Sequence, residues 1–388
     1  MLKKFSFKKM DFFLIALVCA LNYCGLLAIQ HAAPELYRRQ MLGFTLGIIL
    51  MLLVSVFDYH YILKLHWLYY AASIGLLALV LRVGSSGGGA QRWINLFGIT
   101  FQPSEAAKIL LILFFAEFII TYREIMFRPL HLLISILLIL PPVYLVFKEP
   151  DFSTSVMLLL IFSVIIYVGG LEWPIVAAVL AAVIPSFFWV ISQAVQGTGS
   201  FLSVYQQNRI LAWLHPENYA DSTAYQTINS MTAIGSGQII GRGQEINSLL
   251  NTGFISESQT DFIFTVIGET FGFIGCCAVI VLYMYLLVRM LYLARFTQDR
   301  FGQLIIIGVM AMLFLHFFEN IAMCVGLMPI TGIPLPFISY GGSNFMTNII
   351  GVSLAVNAVK SRTSSTRVVF QEAVRKRKRH RRKTKQEI

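Results

Sequence analysis

Residues 11–29 read DFFLIALVCALNYCGLLAI, an apolar stretch with one charge, at its first position. About 20 such residues, each advancing a helix by ~1.5 Å, are enough to cross a hydrocarbon layer ~30 Å thick. Comparable runs recur near 41–57, 66–83, 105–121, 130–147, 154–169, 173–193, 262–292, 302–325 and 342–359. A backbone surrounded by lipid must satisfy its own polar groups, and single runs of this length do so as helices. The expected fold is therefore an all-α integral membrane protein of about ten transmembrane helices. Only 13% of the residues are charged and 57% are hydrophobic, against roughly a quarter charged in soluble domains.

The opening MLKKFSFKKM is basic and precedes an apolar run, as in a signal peptide, and HAA offers small residues for cleavage. The run is long for a cleaved segment and further spans follow at once, so a retained first helix is expected. Ten spans put both termini on one side. The Lys-rich start, REIMFR near 125 and RMLYLARFTQDR near 295 make that side cytoplasmic, with Arg38 and Arg39 as the exception. Residues 361–388 carry eleven Lys/Arg against two Glu, a net +9 of the chain's +11. Such a tail reads as a disordered anchor at an anionic leaflet rather than a nucleic-acid arm. The organisation expected is a membrane domain over 1–360, with a long outer loop at 194–260 between helices 7 and 8, and a basic tail over 361–388.

The five cysteines lie in apolar runs without metal-ligand spacing, so neither a disulfide framework nor a cysteine metal site is expected. GSSGGGAQR lacks the Lys-Ser/Thr ending of a phosphate-binding loop. The inner connections are short, which excludes a sizeable cytoplasmic catalytic domain.

The unusual residues gather on the outer side. In FQPSEAAKIL, Pro103 suits an early helix position, and Glu105 and Lys108 share a helical face three residues apart. They read as an ion pair that makes both charges tolerable, and equally as support for a neighbouring catalytic group. ESQTDFIFTVIGET, 257–270, places acids at the mouth of a membrane run. If it is helical throughout, Glu257, Asp261 and Glu269 lie near one stripe, Asp261 at the boundary and Glu269 about two turns deeper. Clustering and burial both raise carboxylate pKa values, which suits a general base or a metal ligand. Glu257 also fits a solvated loop, and Glu269 a buried carboxyl bonded to neighbouring helices.

Arg92, Lys108, Lys148, Arg209 and Arg242 form an outward basic set. Each could be an interfacial residue reaching for water; together they suit an anionic ligand such as phosphate. GLMPITGIPLPFISYGGSN breaks an apolar region with prolines and glycines, and irregular backbone at membrane depth is tolerated only inside protein or along a wet cavity. His316, Glu319 and Asn320 precede it at helical spacing, and a structural role is expected for them.

GGGAQRWINLFGITFQPSEAAK, KEPDFSTSV, YQTINSMTAIGSGQIIGRG, ESQTDFIFTVIGETFGFIG and GLMPITGIPLPFISYGGS occur in this order across residues 87–343. Together they resemble the SEDS family (shape, elongation, division and sporulation), the polytopic peptidoglycan glycosyltransferases, and within it the RodA branch more than the FtsW branch. The resemblance implies a ten-helix fold and polymerisation of lipid II, the undecaprenyl-diphosphate-linked disaccharide-pentapeptide, during cell elongation. TDFIF makes Asp261 the essential acid, and QPSE..K makes Glu105 and Lys108 its supporting pair. Arg92 and Trp93 match the family's RW segment. Thr270, PDFST and GRGQ depart from the common pattern.

The residues then suggest a mechanism. Asp261 serves as base or metal ligand, with Glu257 and Glu269 in support. Arg92, Lys148, Arg209 and Arg242 are the candidates for holding the diphosphate, with a divalent cation, Mg2+ or Mn2+, as a further candidate. A class B penicillin-binding protein is the implied partner, and no nucleic acid is expected. The rival readings are a lipid II flippase, which calls for polar groups at the midplane and on both sides, and a noncatalytic scaffold.

Overall fold

The structure, a computed structural model, describes residues 11–56, 65–87, 90–96, 99–126, 128–197, 204–243 and 257–359. The basic start, parts of the 194–260 loop and the 361–388 tail lie outside the described residues.

Each expected run is a helix: α1 Phe12–Ala32, α2 Tyr37–Val56, α3 His66–Val83, α4 Pro103–Thr121, α5 Pro129–Lys148, α6 Phe152–Gly169, α7 Trp173–Gln196, α10 Ile263–Phe296, α11 Arg300–Cys324 and α12 over 342–359. Seven of them, α1, α2, α3, α5, α6, α10 and α11, are long and apolar enough to cross a membrane by length and composition. α4 has the length, but Glu105, Lys108 and Glu117 interrupt its apolar character. Between α7 and α10 lie two shorter helices, α8 Val204–Leu214 and α9 Tyr225–Ser236.

The starts of these helices follow local chemistry. Asp11 caps α1 by accepting from the Leu14 amide at 2.9 Å, and Asp151 caps α6 through Thr154 at 3.2 Å. Asp299 accepts from the amides of Phe301 and Gly302 at the head of α11. Pro103 and Pro129 occupy first-turn positions, where a missing N–H costs nothing. Asp11 also takes Arg289 of α10 at 2.6 Å, locking the start of α1 to α10.

α11 lies at the centre, packed on α10, α6 and α4. α1 covers α10, and α3 covers α4. One element lies outside the all-helical expectation. The Gly-rich segment before α4 forms a small antiparallel sheet of β1 Ser85–Gly87, β2 Ala90–Leu96 and β3 Ile99–Phe101, in the order β1-β2-β3. Its strand β2, which carries Arg92 and Trp93, packs against α3 and α4.

The long α10 is broken. Gly272 sits at φ 63, ψ −162, so the run from 263 to 296 consists of a short helix at one end and a full span after it. A break inside a membrane frees backbone groups that lipid cannot satisfy. The chain just after α9 satisfies them. The amides of Arg242 and Gly243 donate to the carbonyls of Glu269 and Thr270 at 2.9 and 3.1 Å, and the amides of Phe273 and Ile274 donate to Gln238 and Ile239 at 2.8 and 3.1 Å. The approach is so close that a Cβ on Gly241, whose φ is +85, would stand 2.1 Å from the Thr270 carbonyl oxygen. Gly243, also left-handed at φ +64, faces open space. Gly241→Ala is therefore expected to cost about 2–5 kcal/mol, from left-handed strain and displaced backbone, and Gly243→Ala only about 1–2 kcal/mol. Thermal unfolding of the purified variants in detergent checks the order; equal melting temperatures would contradict it.

Candidate active site

One turn into α4, Glu105 and Lys108 are both buried, at 3% and 1% exposure. Their i, i+3 spacing brings Lys108 Nζ to 2.8 Å from Glu105 Oε1. The ammonium also lies 2.7 Å from His316 Nε2 on α11 and 4.0 Å from Met157 Sδ on α6. His316 Nδ1 is 2.7 Å from the Met312 carbonyl, which can only accept. The ring proton is therefore on Nδ1, and the Nε2 lone pair faces Lys108. Three N–H groups thus meet three acceptors, which is the full capacity of an ammonium. Glu105 Oε2 accepts from Asn344 of α12 at 3.1 Å, and Asn344 Oδ1 accepts from Asn348 at 2.8 Å. Four helices are joined through one pair of charges.

Asp261 lies two residues before α10, in a turn closed by the amides of Thr260 and Phe262 donating to the Glu257 carbonyl at 3.2 and 3.1 Å. Its neighbours are fixed from outside. The Thr260 carbonyl accepts from Ser339 Oγ at 2.6 Å, and the Gln259 carbonyl from the Tyr340 amide at 2.9 Å. The carbonyl of Asp261 itself accepts from Asn320 Nδ2 at 2.7 Å, and the same amide donates to Ile333. With the main chain held at each of these points, the half-buried carboxylate has a defined position. Gly332, at φ +73, leaves room for it, since a Cβ there would approach Asp261 Oδ2 to 3.3 Å. The Pro/Gly-rich segment walls the site, as its composition suggested.

Burial and then Glu257 push the Asp261 carboxyl up to about 6, against the opposing pull of Arg209 and Arg92; Asp151 adds a smaller upward push. These five groups are one electrostatic cluster. Arg92 Nε donates to the Glu149 carbonyl at 3.2 Å, its Nη2 donates to the Pro150 carbonyl, and Nη1 is 3.8 Å from Asp151. Arg209 Nη1 donates to the Ile330 carbonyl at 2.9 Å. Both arginines thus brace the loops around Asp261 while supplying positive charge. Glu149 is fully buried with neither carboxylate oxygen hydrogen-bonded among the described residues. Burial, followed by Asp151, pushes it up to about 8, with Arg92 opposing.

The remaining candidates lie elsewhere. Lys148 is exposed and reaches back over the Tyr144 ring, 5.0 Å from its centroid. Arg242 is at the α10 break, its Nε donating to the Ser236 carbonyl at 3.0 Å. Lys108 is enclosed by its three acceptors and belongs to the scaffold. The single stripe expected for Glu257, Asp261 and Glu269 is corrected: 257–262 form a turn, and the helix begins only at Ile263. Glu257 is exposed at the first position of that turn, and Glu269 is buried just short of the Gly272 break. Sequence reasoning did not pair His316 with Lys108, nor Asp151 with Arg92. The first pair is 208 residues apart in the chain and only tertiary packing joins it.

Removing one member of the buried pair leaves the other charge unmatched. Lys108→Met should cost about 3–5 kcal/mol, and combining it with Glu105→Gln should recover much of that. Thermal unfolding of the full-length variants in detergent provides the comparison; a double variant as unstable as Lys108→Met alone would refute it.

Residues 6–364 match the model of the FtsW/RodA/SpoVE family, described as cell cycle proteins. The chain is 35% identical over 291 residues to the peptidoglycan glycosyltransferase MrdB of Escherichia coli K12, covering 74% of this chain and 76% of that one. It is 28% identical over 422 residues to the peptidoglycan glycosyltransferase RodA of Treponema pallidum, covering 90% and 97%. Among solved structures, a chain from a peptidoglycan synthase complex that coordinates polymerization and crosslinking superposes with a TM-score of 0.75 at 30% identity, over 91% of this chain and 98% of that one. The rod shape determining protein RodA of Thermus thermophilus superposes at 0.68 and 28% identity, over 91% and 97%. With the helix order, the paired charges of α4 and the Asp261 turn in place, the chain belongs to the FtsW/RodA/SpoVE family of multi-pass membrane proteins.

Proposed function

We propose that this protein is a peptidoglycan glycosyltransferase that polymerises lipid II into glycan strands at the outer face of the cytoplasmic membrane during cell elongation, with both termini cytoplasmic. The observation that carries this reading is Asp261, a half-buried carboxylate on a pinned turn, pushed up to about 6 and flanked by Arg209 and Arg92. The names of the relatives support the same activity.

In this reading the acceptor sugar hydroxyl attacks the anomeric carbon of the lipid-linked donor. The new glycosidic bond forms as the bond to the diphosphate breaks. Asp261 takes the hydroxyl proton, and a carboxylate of pKa near 6 is well matched to that task at neutral pH. The diphosphate leaves as an anion and needs no acid, in contrast to the alcohol leaving group of a glycoside hydrolase. Arg209 and Arg92 provide the positive potential toward which that charge develops. Lys148 and Arg242 are not among the charges that act on Asp261 and are weaker candidates for the diphosphate.

Among the described residues no group of three or more His, Cys, Asp or Glu side chains is placed to hold a metal. A Mg2+ or Mn2+ ion here would take Asp261 as its protein ligand and most of its remaining ligands from diphosphate and water, the usual arrangement for Mg2+ on phosphate substrates. Such an ion would neutralise the departing diphosphate. The proposed partner is a class B penicillin-binding protein, supported by the match to a chain of a peptidoglycan synthase complex.

The direct test is the full-length protein in liposomes with labelled lipid II, alone and with its cognate transpeptidase. Asp261→Asn should lower glycan formation at least about a hundredfold. The wild-type rate should fall as the pH drops through about 6, because the protonated carboxyl cannot accept a proton. Wild-type rates in Asp261→Asn, or a profile flat from about pH 5 to 7, would remove Asp261 from the role of base.

A further inference from the structure

We infer that His316 is a positioning residue for the polymerisation reaction, holding the Lys108 ammonium in register with the helix that pins the Asp261 turn. The inference rests on the function proposed above. His316 and Asn320 are one turn apart on α11 and share a face. His316 reaches Lys108 at 2.7 Å; Asn320 donates to the carbonyls of Asp261 and Ile333, both at 2.7 Å. A single rigid helix thus connects the buried ion pair to the main chain of the proposed base.

Packing alone would not call for an imidazole here. The ring is completely buried, and a buried polar group is destabilising unless its hydrogen bonds are made. Both nitrogens are used, Nδ1 on the Met312 carbonyl and Nε2 on Lys108. The first contact ties the ring to its own helix and fixes the tautomer; the second then presents a lone pair in one direction only. Lys108 has a competing carboxylate within electrostatic range, Glu319, which is also buried on α11 and has one oxygen without a hydrogen bond among the described residues. With the His316 acceptor in place, the ammonium points between α4 and α11 toward Glu105. Without it, one N–H is unmatched and the side chain is free to turn toward Glu319, shifting α11 and the Asp261 turn with it.

The test compares His316→Leu, which removes the acceptor, with His316→Gln, whose amide oxygen can still accept from Lys108. Lipid II polymerisation by the full-length proteins in liposomes is measured per folded molecule, with folding established by size exclusion and melting temperature. His316→Leu should lower kcat about tenfold or more and leave KM within about twofold, the scale set by one unmatched buried donor. His316→Gln should stay within about threefold of wild type. Adding His316→Leu to Lys108→Met should lower the rate no further than Lys108→Met alone, since the two residues act through one contact. Wild-type kcat in His316→Leu, equal losses in the Leu and Gln variants, or independent losses in the double variant would each overturn the inference. Absence of any glycan from the wild-type protein would instead overturn the functional reading, and the inference with it.

Discussion

A lysine ammonium inside a membrane protein is tolerable only if every proton it carries has somewhere to go. Lys108 meets that condition through Glu105, His316 and Met157, and through Glu105 it extends to Asn344 and Asn348. Because its acceptors sit on α4, α6 and α11, with α12 joined at second hand, their relative positions are coupled. Dispersion and apolar packing are non-directional and would permit these helices to slide. A charge with three directed contacts does not, so the ion pair acts as the register mark of the bundle. The site depends on it indirectly, because α11 also carries Asn320, which holds the Asp261 turn.

The mouth of the site follows a different rule. There several charges of both signs act on one carboxylate. Burial and then Glu257 push the Asp261 carboxyl up to about 6, while Arg209 and Arg92 pull the other way and Asp151 adds a smaller upward push. The arginines perform two tasks with one group: their donors brace the 149–151 and 330 carbonyls, and their charge faces Asp261. Contrasting treatment of two acidic residues, buried and bonded for Glu105 but half-buried beside two arginines for Asp261, distinguishes the ion pair of the scaffold from the proposed base.

Much of this was legible in the residues themselves. The apolar runs specify the helices because lipid leaves the backbone no other local solution, and their bounds shift by only a few residues in the structure. Glu105 and Lys108 could be paired because they lie on one helical face. Asp261 stood out as an acid at the mouth of an apolar run. Contacts across long chain separations were not legible. Nothing local to His316 indicates Lys108, and nothing local to Arg92 indicates the 149–151 turn. The expected acid stripe failed because helical periodicity was extended backward past Ile263, whereas Ser339 and Tyr340 capture the carbonyls of 259 and 260 and hold that segment as a turn. The sheet was missed because its strands are only three to seven residues long and the segment that contains them carries Gly84, Gly87, Gly88, Gly89 and Gly98, a composition that reads as loop.

The break in α10 has a consequence for how the protein is made. The groups freed at Gly272 are satisfied by residues 238–243, which precede α10 in the chain and so emerge from the ribosome first. A hydrophobic segment with an open break is a poor independent passenger into lipid, since its unpaired amides and carbonyls would have to enter hydrocarbon bare. α9, the segment after it and α10 are therefore suited to enter the membrane as one unit, with the earlier piece already waiting as a backbone template when the later one arrives. The order of these elements along the chain, and not only their final contacts, is part of what makes a broken span admissible.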